Sequence, residues 1–395
     1  MRVPVSLAAG TPEYRGKLLV SVQASGGWDP TCFCDPKTNT PGEPIINHWA
    51  ENDEVHWAGN LPYAPFADNQ AFFEKYHGRM LVINGIDMQT NSHDIGNVHN
   101  WTGRSSESFP TLSAVHAAHH APDAGLPCMS FGAYSRGGEI LSVVSLGSGG
   151  ASARRQLAAI VEPAQNGYLH ERDWEAIQHR HRETMARLRA GNDLVPAARR
   201  TIAAYASAFD GGGGLAVFAA KLRELGTSDP WHGAIAAFAS GVSASADLAG
   251  GDFDTHADND GRQSQALSWL TGKVDALWEL AEEHGLADRL VMVIGSEFSR
   301  TNYYNADDGK DHWPIGSLIV MEKNQPWTDR VVNVSDELHF ARTVHPRTLE
   351  PDDRNGTIIY PKHVHKALRR YLDLERSAGA RLYPFREVED LAFFG

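Results

Sequence analysis

Between Gly250 and Pro314 the chain gathers Asp252, Asp254, His256, Glu297, Asp311 and His312, in the pieces GGDFDTH, VMVIGSEFSRT and GKDHWP. Far upstream, LLVSVQASGGWDPT adds Asp29. Carboxylates and imidazoles in this mixture suit a divalent metal of hard to borderline character. Such an ion polarises a phosphoryl oxygen and lowers the pKa of a bound hydroxyl or water. Glycines precede the acids in both GGWD and GGDFD, where a sharp backbone turn brings the chain close to a ligand. An aspartate beside a glycine turn also caps loops without any ligand. That account suffices for one motif; four motifs in series favour a metal.

The elements that position these groups are legible as apolar runs. LLVSVQA, RMLVINGIDM, ADLAG, DRLVMVIG and GSLIVM read as strands, and MSFGAY and EILSVVSL as further ones. Helices are expected at Asn69 to His77, in TLSAVHAAHHA and in the amphipathic stretch Ser264 to Gly285. Strands alternating with helices predict an α/β fold with a mainly parallel sheet covered on both faces. In such sheets the site forms beyond the carboxyl ends of the strands. Asp29, Asp254 and Glu297 all fall there.

The sequence is read as a single domain over 1–395, with a helical insertion or cap at 151–226. In that block YLHERDWEAIQHRHRETMARLRAG has helical spacing and charge pairs three and four apart. Its His170, His179 and His181 are expected on solvated helix faces.

Composition excludes several classes. The 42% hydrophobic and 22% charged content is that of a soluble globular chain. A net charge of −13 argues against a nucleic-acid backbone as partner. No run of about eighteen apolar residues exists, so no membrane span is expected. Cys32, Cys34 and Cys128 give neither a disulfide framework nor a CxxC zinc pattern. There is no GxxxxGK[ST] and no GxGxxG after the first strand, which weighs against a nucleotide-binding protein. The segment MRVPVSLAAGTPEYRGK has neither a long apolar stretch nor a twin arginine, so no export signal is read in it.

The order of these pieces resembles the alkaline phosphatase superfamily, which includes sulfatases and cofactor-independent phosphoglycerate mutases. More narrowly, GGWD, GGxxDTH, SEFxRT and GxDHWP look like the bacterial family called domain of unknown function 1501, whose members are often exported. The resemblance implies an alkaline-phosphatase-like fold and one or two divalent ions, zinc first, with manganese, magnesium or calcium as alternatives. It implies Asp29 as a ligand near the nucleophile, and Asp254 or Asp252 with His256 and His312 around the other metal. Asp252 has the superfamily spacing; Asp254 lies in the narrower family's DTH. Glu297 stands where the superfamily has an Asp-His pair, and Phe298 replaces its histidine, so a one-metal site is one implication. The nucleophile is expected at a helix start after the second strand, where Thr90 and Ser92 lie; the competing reading is that either caps the helix. Arg300 and Asn100 are candidates to steady an anion. Cys34-Asp35-Pro36-Lys37 resembles only half of a sulfatase nucleophile motif and stands too early, which counts against a typical sulfatase.

Two functions follow as expectations. One is a metal-dependent hydrolase acting on a small anionic ester or a sulfated or phosphorylated glycan, located in the periplasm or outside the cell by the resemblance. The other is a non-catalytic protein that kept the fold and binds metal, glycan or protein.

Overall fold

The computed structural model describes residues 14–106, 108–132, 134–146, 171–190, 194–196, 198–199, 202 and 212–395. Its strands are β1 (Leu18–Ala24), β2 (His56–Ala58), β3 (Leu61–Tyr63), β4 (Met80–Asp87), β5 (Cys128–Ser130), β6 (Val144–Ser145), β7 (Ser245–Gly250), β8 (Leu290–Gly295), β9 (Ser299–Arg300), β10 (His312–Trp313), β11 (Ile315–Met321) and β12 (Arg330–Val332). Its α-helices are α1 (Asn69–Tyr76), α2 (His93–Thr102), α3 (Leu112–His120), α4 (Glu171–Ala190), α5 (Gly212–Leu225), α6 (Pro230–Ala239), α7 (Asn259–Glu283), α8 (Pro361–Tyr371) and α9 (Ala378–Leu382).

Eight strands form one sheet in the order β12-β4-β11-β8-β1-β7-β5-β6. β1 lies between β7 and β8, parallel to both. β11 runs antiparallel between β4 and β8. The expected mainly parallel α/β sheet is therefore the one the chain adopts.

Strand alternation divides the core between two faces. Leu18, Val20, Val22, Leu290, Met292 and Ile294 pack with α1, α6 and α7 residues such as Phe73, Ile235 and Trp278. Leu19, Val291, Val293 and Val320 point the other way, toward Val115 of α3 and Val364 and Leu368 of α8. Covered on both faces, the strands can be apolar at nearly every position. The helix expected from Ser264 begins earlier, at Asn259, where Asp258 adopts φ 48° and caps the Gly261 N–H. EILSVVSL yields only the two-residue β6.

The block 151–226 lies partly outside the described residues. Within it, α4 carries His179 exposed and His181 half-buried. No helix among the described residues is long and apolar enough to cross a membrane. The three cysteines are buried and free.

One core residue carries a testable cost. Asp247 of β7 is fully buried, with Thr111 Oγ1 donating to it at 3.3 Å. Burial pushes its carboxyl up to about 7, against the pull of the Ser113 and Thr111 hydroxyls. The folded state thus holds a proton that the unfolded state releases from near pH 3.8. The stability tied to that proton is complete below the unfolded value and is lost as pH rises through about 7. Asp247→Asn is expected to match the parent at pH 4 and to exceed it at pH 8 by a few kcal/mol, at about 1.4 kcal/mol per tenfold in proton affinity. Urea titrations at the two pH values check this; a difference independent of pH would contradict it.

Candidate metal centre

Three imidazoles converge on one carboxylate beyond the strand ends. His93 opens α2, Asp254 and His256 lie in the turn after β7, and His312 sits on β10 opposite Arg300 of β9. His256 Nε2 is 3.1 Å from Asp254 Oδ1, and His312 Nε2 is 3.6 Å from the same oxygen. His93 Nε2 is 3.7 Å from Asp254 Oδ2. His93, Asp254 and His312 offer ligand atoms that all lie within 4.8 Å of one another.

Each imidazole is braced at its other nitrogen by an oxygen. His93 Nδ1 lies 3.0 Å from Glu297 Oε1, His256 Nδ1 2.8 Å from Asp311 Oδ1, and His312 Nδ1 2.7 Å from the Asn91 carbonyl. These oxygens accept hydrogen bonds, so each ring can carry its proton on Nδ1 and leave Nε2 free to ligate. The three Nε2 lone pairs then point inward. His256 Nε2 and His312 Nε2 stand 3.0 Å apart, where two lone pairs repel unless a cation or proton lies between them. A carboxylate or carbonyl behind each histidine is the usual outer support of a metal ligand.

The backbone around the cluster is tightly tied. Gly26 has φ +114°, and a Cβ there would lie 2.5 Å from the Asp254 amide nitrogen. At Gly309 a Cβ would collide with the His256 backbone. Lys310 N donates to Thr255 O at 3.0 Å and Asn305 Nδ2 to His256 O at 2.9 Å, so the 305–312 loop is stitched to the DTH turn.

Electrostatics agree with this layout. The Glu297 carboxylate against Nδ1 raises the His93 pKa, with burial pulling against it. Burial holds His312 below the ordinary imidazole value, leaving it neutral and ready to ligate. Burial works against the Asp254 carboxylate, but Arg300 outweighs it and keeps the group ionised.

Several expected site residues stand elsewhere. Asp29 is fully buried and pairs with Lys310 Nζ at 2.6 Å, outside the cluster. Asp252 is exposed and pairs with Arg262 at 3.0 Å. Glu297 lies behind His93, also accepting from Gly26 N at 2.7 Å and Gln23 Nε2 at 3.1 Å. Arg300 is fully buried beneath Asp254. Its Nη2 donates to Asp254 Oδ1 at 2.8 Å and to the Gly26 carbonyl, Nε to Gly27 O at 2.8 Å and Nη1 to Lys310 O at 3.1 Å. Asn100 donates to Gln23 Oε1 at 3.2 Å. Ser92 is the N-cap residue of α2, yet its side chain makes no capping bond. Thr90 Oγ1 accepts from Ser92 N at 3.0 Å. Phe298 is a buried floor, its ring centroid 4.7 Å from His93 and 4.4 Å from His312. His93, the first residue of α2, is part of the cluster. Its one sequence signal is its place beside Ser92 at the helix start.

The segment holding most of these residues is also the segment with a family match. Residues 237–322 match the family described as Protein of unknown function (DUF1501). The matched segment contains Asp254, His256, Glu297, Arg300, Asp311 and His312, while Ser92 and His93 lie before it. No curated protein matches the chain.

Among solved structures, the chain is similar to the lipoteichoic acid synthase LtaP from Listeria monocytogenes (8% identity, 97% of this chain and 75% of that one, TM-score 0.37). It is also similar to the PsFucS1 sulfatase from Pseudoalteromonas sp. (7% identity, 91% and 68%, TM-score 0.34). A third is the alkaline phosphatase from the Antarctic bacterium TAB5 (8% identity, 80% and 94%, TM-score 0.33). Likenesses this shallow carry nothing about residues or reaction.

Proposed function

We propose that the chain is a metal-dependent hydrolase of phosphate or sulfate esters, with one divalent ion held by His93, Asp254, His256 and His312. The observation that carries this reading is the set of three Nε2 atoms, each braced from behind, facing the Asp254 carboxylate. Imidazoles with a carboxylate fit zinc, which can expand to five ligands to take an ester oxygen, better than magnesium or calcium, which prefer all-oxygen sites. A single ion is favoured because Asp29, expected beside a second one, is neutralised by Lys310.

When bound, the ion supplies polarisation of the ester and a lowered pKa for an oxygen nucleophile. The chain's own residues do the rest. Ser92 precedes ligand His93, with its hydroxyl not engaged in capping, and is the nucleophile of this reading. The N-terminus of α2 favours the negative charge that develops there. Thr90 holds the Ser92 amide and so sets the serine's backbone. Glu297 and Asp311 hold His93 and His256 in the tautomer that ligates. Arg300 keeps Asp254 ionised and anchors three carbonyls, a positioning role in place of direct contact with an anion.

The test is a panel of aryl and alkyl phosphates and sulfates with zinc-loaded protein. Turnover is expected, falling on the order of 10³-fold or more in Ser92→Ala, the scale seen when an activated nucleophile is removed. Full zinc occupancy with no turnover of any ester would overturn the hydrolase reading in favour of the non-catalytic metal-binding alternative.

A further inference from the structure

Beside the cluster lies a cavity of about 590 Å³, lined among others by Phe131, Trp231, Trp269, Asp252, Arg262 and Gln265. Its walls are aromatic. Trp231 and Trp269 stand edge to face with centroids 5.9 Å apart. Phe131 and Trp231 are almost fully buried, so the walls are fixed by the core. Trp269 leans on Gly250, where a Cβ would strike its ring. The indole wall therefore stands at the carboxyl end of β7, directly before the GGDFDTH turn.

The cavity is charged, but its charges are matched. Lys273 Nζ lies 2.6 Å from Asp229 Oδ2, and Arg262 Nη2 3.0 Å from Asp252 Oδ2. With each cation answered by a carboxylate, the cavity has no excess positive charge to attract an anion. What it offers is flat apolar surface with hydrogen-bond donors and acceptors at its rim. A neutral pyranose has that same division, a C–H face for the half-buried Trp269 indole and hydroxyl edges for carboxylates, guanidinium and amide.

The cavity and the metal cluster share two turns. Ser25 lines the cavity, and its neighbour Gly26 binds Glu297. Asp252 lines the cavity, and Asp254, two residues on, faces the three histidines. Two residues span at most about 7 Å, roughly the width of one sugar ring. We infer that this cavity binds a neutral sugar ring, the part of the substrate that carries the ester reacting at the cluster. The link to an ester rests on the hydrolase reading above; the sugar site itself does not.

The probes are methyl glycosides of glucose, galactose and N-acetylglucosamine and their trisaccharides, with p-cresol as an aromatic control without sugar hydroxyls. Binding is read by saturation-transfer NMR and tryptophan fluorescence. At least one glycoside is expected to bind, equally well with and without zinc, and about tenfold more weakly in Trp269→Ala. Gln265→Ala, an exposed rim change that leaves the core untouched, is expected to weaken it too. Binding of no glycoside, binding of p-cresol alone, or affinity unchanged in both variants would overturn the inference. Glycoside binding without turnover of any ester defeats only the hydrolase reading. Ester turnover with no glycoside binding defeats only the sugar site.

Discussion

His312→Ala is expected to lose zinc at concentrations that saturate the parent protein, while folding as the parent does. His312 contributes one of three inward Nε2 atoms, and its Nδ1 partner is the carbonyl of exposed Asn91, which water can satisfy once the ring is gone. Outside the ligand set, only the packing of its ring on Phe298 is lost. Glu297→Gln should lie between the two proteins. It keeps the shape but withdraws the negative charge behind His93, and loss of such an outer partner typically costs about 10–100-fold in metal affinity. Removing the ligand itself must cost more. Competition against a chromophoric chelator measures all three. Zinc affinity in His312→Ala equal to the parent's would remove His312 from the centre.

Lys310→Met is expected to destabilise the protein by about 3–5 kcal/mol, the range for stranding one partner of a buried ion pair. Both Lys310 and Asp29 have no exposed side-chain surface. Without the ammonium, Asp29 retains only Thr31, with Asn259 Nδ2 at 3.3 Å and Cys32 Sγ at 3.6 Å. The pH dependence should reverse sign. Burial raises the Asp29 pKa in the parent, but Lys310 outweighs it and holds the group below the ordinary carboxylate value. That contribution is present above the unfolded value and is lost as pH falls through the folded one. In Lys310→Met burial is opposed only by the Thr31 hydrogen bonds and by His339, so acidification should stabilise the variant relative to the parent. The double variant Asp29→Asn, Lys310→Met removes both charges and should recover much of the loss. Denaturant titrations at pH 5 and pH 8 read both effects; a loss under about 1 kcal/mol would mean that the pair does not anchor this loop.

Sequence patterns carried the sheet well. β1, β4, β7, β8 and β11 are fully or nearly buried, so their apolar runs stood out, and the acid and histidine motifs do lie past their ends. Asp254, His256 and His312, singled out by type and spacing, meet in space. Side-chain direction was not legible beyond those ends. β8 stops at Gly295, so alternation no longer indicates where Glu297, Phe298 and Arg300 point. One braces a ligand, one forms the floor and one lies beneath Asp254. Asp29 and Lys310 are 281 positions apart, and no local pattern announces their pairing. His93 sits in a polar turn where its type has many ordinary uses; only the fold brings it to Asp254. The sugar-sized cavity was equally hidden, since Trp231 and Trp269 belong to two separate helices.

X-ray absorption at the zinc edge of the zinc-loaded protein tests the centre most directly. Three imidazole nitrogens at about 2.0–2.1 Å with carboxylate oxygen are expected, falling to two imidazoles with a replacement oxygen in His256→Ala. A spectrum with one imidazole or none, or one unchanged in His256→Ala, would contradict a metal centre built from His93, Asp254, His256 and His312.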